Sequence, residues 1–195
     1  SIKVDAMIYV AGHCRVINCF TDDFSIPAVV VYGISKSPNF VSIVVDDEKG
    51  GYDVTKYLIS MGHRKIGVIA GATDNLHTVK RIRGYQKALF ETEILFNPDL
   101  VRYGDWMRPS GYREMESLIK EEVTAVFCMN DIMAGGAYDY LYEHGIKVGQ
   151  DISLAGYDNK EISEYFRPCL TTNEIQLKKI GKTASRIILE TLEDS

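Results

Sequence analysis

The 195 residues carry 22 basic and 27 acidic side chains, for a net charge of −5, and 46% of them are hydrophobic. A chain of this length buries a sound core. Its scattered lysines and arginines, dense only at Lys80, Arg81 and Arg83, argue against a basic nucleic-acid face. The apolar runs are far too short to span a bilayer, and no signal peptide is visible among these residues.

In chain order, short apolar runs at 4–10, 28–31, 41–45, 66–70, 100–103, 125–129, 152–155 and 170–172 predict strands. Most are continuously apolar, as expected of parallel strands covered on both faces. Between them lie helical stretches. Residues 49–61 form one, stopped by Gly62. Residues 78–90 form another, with Val79, Ile82, Leu89 and Phe90 as its apolar stripe. A third runs over 110–120 with Ser110 as its cap. A fourth runs over 132–144, capped by Asp131 and stopped by Gly145. The last, 177–192, repeats Ile180, Ala184, Ile187, Ile188 and Leu192 at helical spacing. Strands alternating with helices predict βαβ units, hence an α/β fold with parallel sheets.

Four cysteines are present. Cys128 lies in an apolar run and reads as a small core residue. Cys14 and Cys19 do not have metal-finger spacing. No metal site, no disulfide and a reduced cytoplasmic protein are the expectations. No nucleophile elbow, metalloprotease helix or phosphate loop appears, and Gly50-Gly51 lacks the three-glycine spacing of a dinucleotide fingerprint. No catalytic residue and no cofactor are expected.

The informative stretch is 124–172. One apolar strand ends in Asn130-Asp131, followed by a helix with Ala134, Gly135 and Gly136 in its first turns. A second ends in Tyr157-Asp158-Asn159. Polar side chains at the carboxyl ends of neighbouring parallel strands are where α/β sheets bind small ligands. Short amides and carboxylates there suit a polyhydroxylated compound.

This stretch resembles the effector-binding core of the LacI family of bacterial transcription regulators. Gly62-His63-Arg64-Lys65-Ile66-Gly67, Arg81 with Gly84-Tyr85, Gly104-Asp105-Trp106 and Ser110-Gly111-Tyr112 follow in family order and spacing. Each motif is weak alone; in register over the whole chain they are specific. The resemblance implies two Rossmann-like, periplasmic-binding-protein-like lobes: residues 1–62 with 168–195, and residues 63–167. It also implies a fragment. The first lobe is expected to be incomplete, and the family's helix-turn-helix, which reads operator DNA, lies outside this chain. A homodimer is the family's usual assembly.

The same resemblance nominates the site. Arg81 donates two parallel bonds, suited to vicinal hydroxyls. By position alone it reads as a solvated helix arginine, but its family counterpart faces the cleft. Trp106 offers a face for a sugar ring, or else plugs a strand end. Asp158 accepts from two hydroxyls, or else forms a turn with Asn159. Asn130 reaches the ligand or caps the next helix. His77 stands one helical turn before Arg81, on the same face, and either touches the ligand or serves a structural or solvent role. Asp46 supplies a carboxylate from the opposite wall, or simply caps a helix beside Asp47 and Glu48. His63 is expected to serve packing. The expected effector is a small saccharide, with a purine the weaker alternative. A sugar-binding protein of a transport system would share the fold. A sugar-modifying enzyme is disfavoured, because no activated nucleophile or acid–base pair stands out.

Overall fold

The computed structural model describes residues 4–12, 15–18, 20 and 24–193. In chain order the elements are β1 (Met7–Val10), β2 (Val16–Ile17), β3 (Ala28–Val31), β4 (Ile34–Ser35), β5 (Val41–Ile43), α1 (Asp47–Ser60), β6 (Ile66–Ala70) and α2 (Leu76–Phe90). There follow β7 (Val101–Tyr103), α3 (Arg108–Ile119), β8 (Ala125–Cys128), α4 (Asp131–Glu143), β9 (Ser153–Asp158), α5 (Ile162–Tyr165), β10 (Thr171–Glu174) and α6 (Leu177–Glu193). A single 3-10 turn at Pro98–Leu100 leads into β7.

Two compact units result: residues 1–45 with 176–195, and residues 46–175. The division falls before α1, not at Gly62, and after β10, not at Pro168. The reason lies in the glycines of α1 and α2. A Cβ on Gly51 would sit 2.3 Å from the Arg81 carbonyl oxygen, and one on Gly84 would sit 2.0 Å from that of Glu48. The two helices touch backbone to backbone, which ties α1 to the second unit.

In the first unit β1, β3 and β5 form a parallel sheet in the order β1-β3-β5, beside a β2-β4 pair. Val29 and Val31 of β3 face Ala184 and Ile188 of α6. Ala28 and Val30 point the other way, into Ile17, Phe20 and Phe40. This is the two-residue alternation of a strand serving two layers. The apolar repeat of α6 packs as its spacing dictates, although Leu192 stays 37% exposed.

The second unit has five parallel strands in the order β10-β9-β8-β6-β7. All five residues of β6 and all four of β8 are buried, as continuous apolar runs require. Helices pack as two pairs, α1 with α2 and α3 with α4. The α3–α4 pair repeats the glycine device. A Cβ on Gly111 would lie 2.0 Å from the Met133 carbonyl oxygen, and one on Gly136 would lie 1.9 Å from that of Arg108.

Several expectations need correction. Asn130, not Asp131, caps α4: its Oδ1 accepts from Met133 N at 2.7 Å. Ser110 does not cap α3, whose cap residue is Met107; its hydroxyl donates to the Met107 carbonyl at 2.8 Å and accepts from Asp105 N. Phe90 leaves the α2 stripe and is 84% exposed, because the buried face follows Thr78, Arg81, Tyr85 and Ala88. β1 begins at Met7, not Val4. Gly62 (φ +96°) and Gly145 (φ +68°) do stop α1 and α4, using the left-handed region open to glycine.

Cys128 is buried and Cys169 exposed, both as free thiols. Cys14 and Cys19 lie outside the described residues. Among the described residues no group of side chains is arranged to hold a metal ion, and no helix is long and apolar enough to cross a membrane.

Candidate functional site

The site lies in the second unit, around the carboxyl ends of β6, β8 and β9. Its centre is a residue the sequence reading passed over. Asp47, the first residue of α1, is 1% exposed. Its Oδ1 accepts from Arg81 Nε at 2.8 Å, and its Oδ2 is 2.7 Å from His77 Nδ1. His77 and Arg81 are four apart on α2 and so share a face; one carboxylate holds both. Arg81 Nη1 donates to the Met129 carbonyl at the end of β8.

Around the guanidinium stand two aromatic rings. Arg81 Cζ lies 3.5 Å from the Tyr157 ring centroid and 5.7 Å from that of Trp106. This stacking offsets some of the cost of burying the charge. The approach depends on missing side chains. A Cβ on Gly50 would fall 2.1 Å from the Tyr157 hydroxyl, and one on Gly71 would fall 1.9 Å from the Trp106 indole. Gly50, Gly51 and Gly71 therefore make the space in which Arg81, Tyr157 and Trp106 meet.

Trp106 is half-buried on the loop after β7, with φ +71°. Asn130 Nδ2 donates to its carbonyl oxygen at 3.0 Å. Both polar ends of the Asn130 side chain are thus engaged, one with the α4 N-terminus and one with the tryptophan loop.

Asp158 ends β9 at φ +109°, followed by Asn159 at φ +55°. Its Oδ2 is 3.5 Å from Lys160 Nζ. Burial raises its carboxyl above the usual value, while the charges of Arg81 and Lys160 pull it back down. Arg81 and Asp158 therefore act on each other across the same space. Asp131 also sits above the ordinary range, first through burial, against the lowering bond from Thr172.

Of the six nominated residues, Arg81 and Trp106 stand together, His77 joins Arg81 through Asp47, Asn130 joins through Trp106, and Asp158 joins through its charge. Asp46 stands apart. It is exposed and caps α1, accepting from Lys49 N at 3.0 Å. It borders an open groove of about 560 Å³ with Glu48, Lys49, Tyr52, Lys87 and Glu91. What separates Asp47 from Asp46 is the contact of Gly51 with the Arg81 backbone, which lays this end of α1 against α2. His63 bridges strands, with Nδ1 at 3.0 Å from Thr124 Oγ1 and Nε2 at 2.9 Å from Ser153 Oγ.

An open parallel sheet with a buried arginine, aromatic rings and a carboxylate at its strand ends defines a small-ligand domain of the periplasmic-binding-protein class. Residues 55–195 match the family of periplasmic binding protein-like domains. The HTH-type transcriptional repressor PurR of Aliivibrio salmonicida is 40% identical over 171 residues, covering 87% of this chain and 51% of the repressor. PurR of Haemophilus influenzae is 39% identical over 170 residues, covering 85% and 50%. Among solved structures, a transcription regulator from Lactobacillus plantarum superposes with a TM-score of 0.86 at 26% identity, over 100% of this chain and 74% of that one. The cellobiose complex of the regulator CelR gives 0.81 at 28% identity, over 98% and 60%. The chain belongs to the LacI family of transcription regulators, as an effector-binding core. It spans about half the length of the curated relatives it matches, and these are repressors, not enzymes.

Proposed function

We propose that this core binds a small saccharide at the Arg81–Asp158 face and, in the full-length protein, sets operator affinity. One observation carries the ligand site. Nε and Nη1 of Arg81 are spent on Asp47 and Met129, and Nη2 has no protein acceptor among the described residues. A rigidly held guanidinium with one nitrogen to give, facing a carboxylate, supplies a donor and an acceptor for neighbouring hydroxyls. Trp106 supplies a face for the ring. His77 and Asn130 hold these groups in place, His77 through Asp47 and Asn130 through Trp106.

In this reading the regulator is a cytoplasmic homodimer that reads operator DNA through a helix-turn-helix, as the HTH-type relatives support. An effector with different affinity for two conformations shifts their populations and thereby DNA affinity. The LacI-family matches favour this over the transport-protein alternative. A purine is the second reading, favoured by the 40% identity to a PurR repressor.

A thermal-shift screen with cellobiose, ribose, hypoxanthine and guanine tests the proposal. Ligand at a hundred times its dissociation constant adds about 2.7 kcal/mol. The expected result is a shift with a sugar that is reduced in Asp158→Asn and Trp106→Ala. A shift with a purine alone would replace the saccharide by a base. A shift unaffected by either substitution would move the site elsewhere.

A further inference from the structure

Asp131 is 0% exposed, and no cation pairs with it among the described residues. Its carboxylate collects hydrogen bonds instead. Oδ2 accepts from Lys160 N at 2.7 Å and Oδ1 from the Thr172 hydroxyl at 2.6 Å. Thr172 Oγ1 in turn accepts from Asn159 N at 3.3 Å. The donors thus come from the turn that follows Asp158 and from neighbouring β10. The sheet is built to admit this carboxylate: a Cβ on Gly156 would lie 2.4 Å from Asp131 Oδ1.

Two features separate Asp131 from an ordinary helix-capping or paired acid. The cap of α4 is already supplied by Asn130. The nearby ammonium of Lys160 turns to Asp158, not to Asp131. What remains for Asp131 is the turn itself, where Asp158 and Asn159 occupy positive φ in succession. Non-glycine residues persist in that region only when their surroundings hold them.

We propose that Asp131 is the positioning residue for Asp158, and that with Thr172 it fixes the direction in which that carboxylate meets the effector. This rests on reading Asp158 as an effector contact. Asp131 touches no ligand in this account. It sets selectivity by deciding where the Asp158 oxygens sit, since a misplaced acceptor forfeits the discrimination a buried polar contact provides. An amide at position 131 keeps the shape but removes the charge: its oxygen can still accept from Lys160 N, and its Nδ2 must then reverse the bond to Thr172 Oγ1, so neither contact is charge-assisted any longer.

The experiment combines amide hydrogen exchange on the whole chain with binding of cellobiose, ribose and hypoxanthine. The variants are Asp131→Asn, Thr172→Val, Asp158→Asn and the 131/158 double substitution. Asp131→Asn is expected to speed exchange at Lys160 N by up to about tenfold, as a charge-assisted bond becomes a neutral one, with Met133 N, held by Asn130, unchanged. Thr172→Val speeds Asn159 N and guards against a global effect. Whichever probe binds the parent chain should bind Asp131→Asn about tenfold more weakly. That loss should vanish in the Asp158→Asn background, where nothing remains to be positioned. Unchanged protection at Lys160 overturns the proposal, and so does an equal loss in both backgrounds, which is what a merely structural role produces. A parent chain that binds none of the probes counts against the effector reading instead, and the exchange rates then decide the role of Asp131.

Discussion

Asp47 Oδ1 and Arg81 Nε lie 2.8 Å apart, with side chains only 1% and 3% exposed. They come from different helices, 34 residues apart in sequence. Removing one partner of such a pair leaves the other buried and uncompensated. Asp47→Ala is expected to cost about 3–5 kcal/mol in urea unfolding. Adding Arg81→Met should restore part of the loss, because the stranded charge goes with it. A single-variant loss below about 1 kcal/mol would mean that water reaches Arg81 in place of Asp47.

The glycines predict effects of opposite sign. At Gly84 a Cβ would meet the Glu48 carbonyl oxygen at 2.0 Å and the Tyr52 nitrogen at 2.5 Å. Backbone cannot rotate aside, so Gly84→Ala should destabilise by about 3 kcal/mol. Gly181 is exposed within α6 and would meet nothing within 4 Å. Gly181→Ala should stabilise by roughly 0.5–1 kcal/mol, through the restricted unfolded chain. Differential scanning calorimetry of both variants reads the two signs directly.

Asn130 has two duties in one side chain, and its removal should show both. Asn130→Ala loses the α4 cap, worth about 1 kcal/mol, and frees the Trp106 carbonyl. Trp106 is the single tryptophan, so its emission reports that loop alone. We expect a red-shifted emission together with the modest stability loss. Unchanged emission would show that Gly71 and the neighbouring packing hold the indole without Asn130.

Asp158 carries a pH signature. Its carboxyl is raised by burial above the usual 3.8, so the folded chain holds this proton more tightly than the unfolded one. The group's stabilising contribution is complete below the ordinary value and is lost as pH rises through the raised one. Asp158→Asn removes that dependence. Its stability relative to the parent should therefore improve between about pH 4 and about pH 7. Denaturant midpoints at the two pH values check the direction, and a difference that shrinks over this range would show a carboxylate stabilised by Arg81 and Lys160 instead.

Much of the fold was legible because the apolar runs of β3, β6 and β8 are continuous and the stops at Gly62 and Gly145 are local signals. The short strands β2 and β4 were not, since two residues such as Val16–Ile17 carry no periodicity. Motif register pointed to Arg81, Trp106 and Asp158 as neighbours, and the first two do meet, 5.7 Å apart. It did not point to Asp47. Choosing it over Asp46 requires knowing that Gly51 lets α1 lie on the Arg81 backbone, a tertiary contact that local sequence does not encode. The α4 cap went to Asn130 rather than Asp131 for a similar reason. Either can cap a helix in isolation, and the choice was made by Thr172, 41 residues further on.

The seams between α1 and α2 and between α3 and α4 are main chain against main chain, at Gly51, Gly84, Gly111 and Gly136. A side-chain interface can repack by exchanging rotamers; these seams have none to exchange. Each helix pair therefore behaves as a single plank that shifts as a whole or not at all. Any movement within this unit is left to the turns that join these pairs to the strands. An engineer wishing to retune this core can redraw the strand-end turns, keeping the contacts of Asp131 and Thr172 with the 158–160 turn, while treating the planks as fixed.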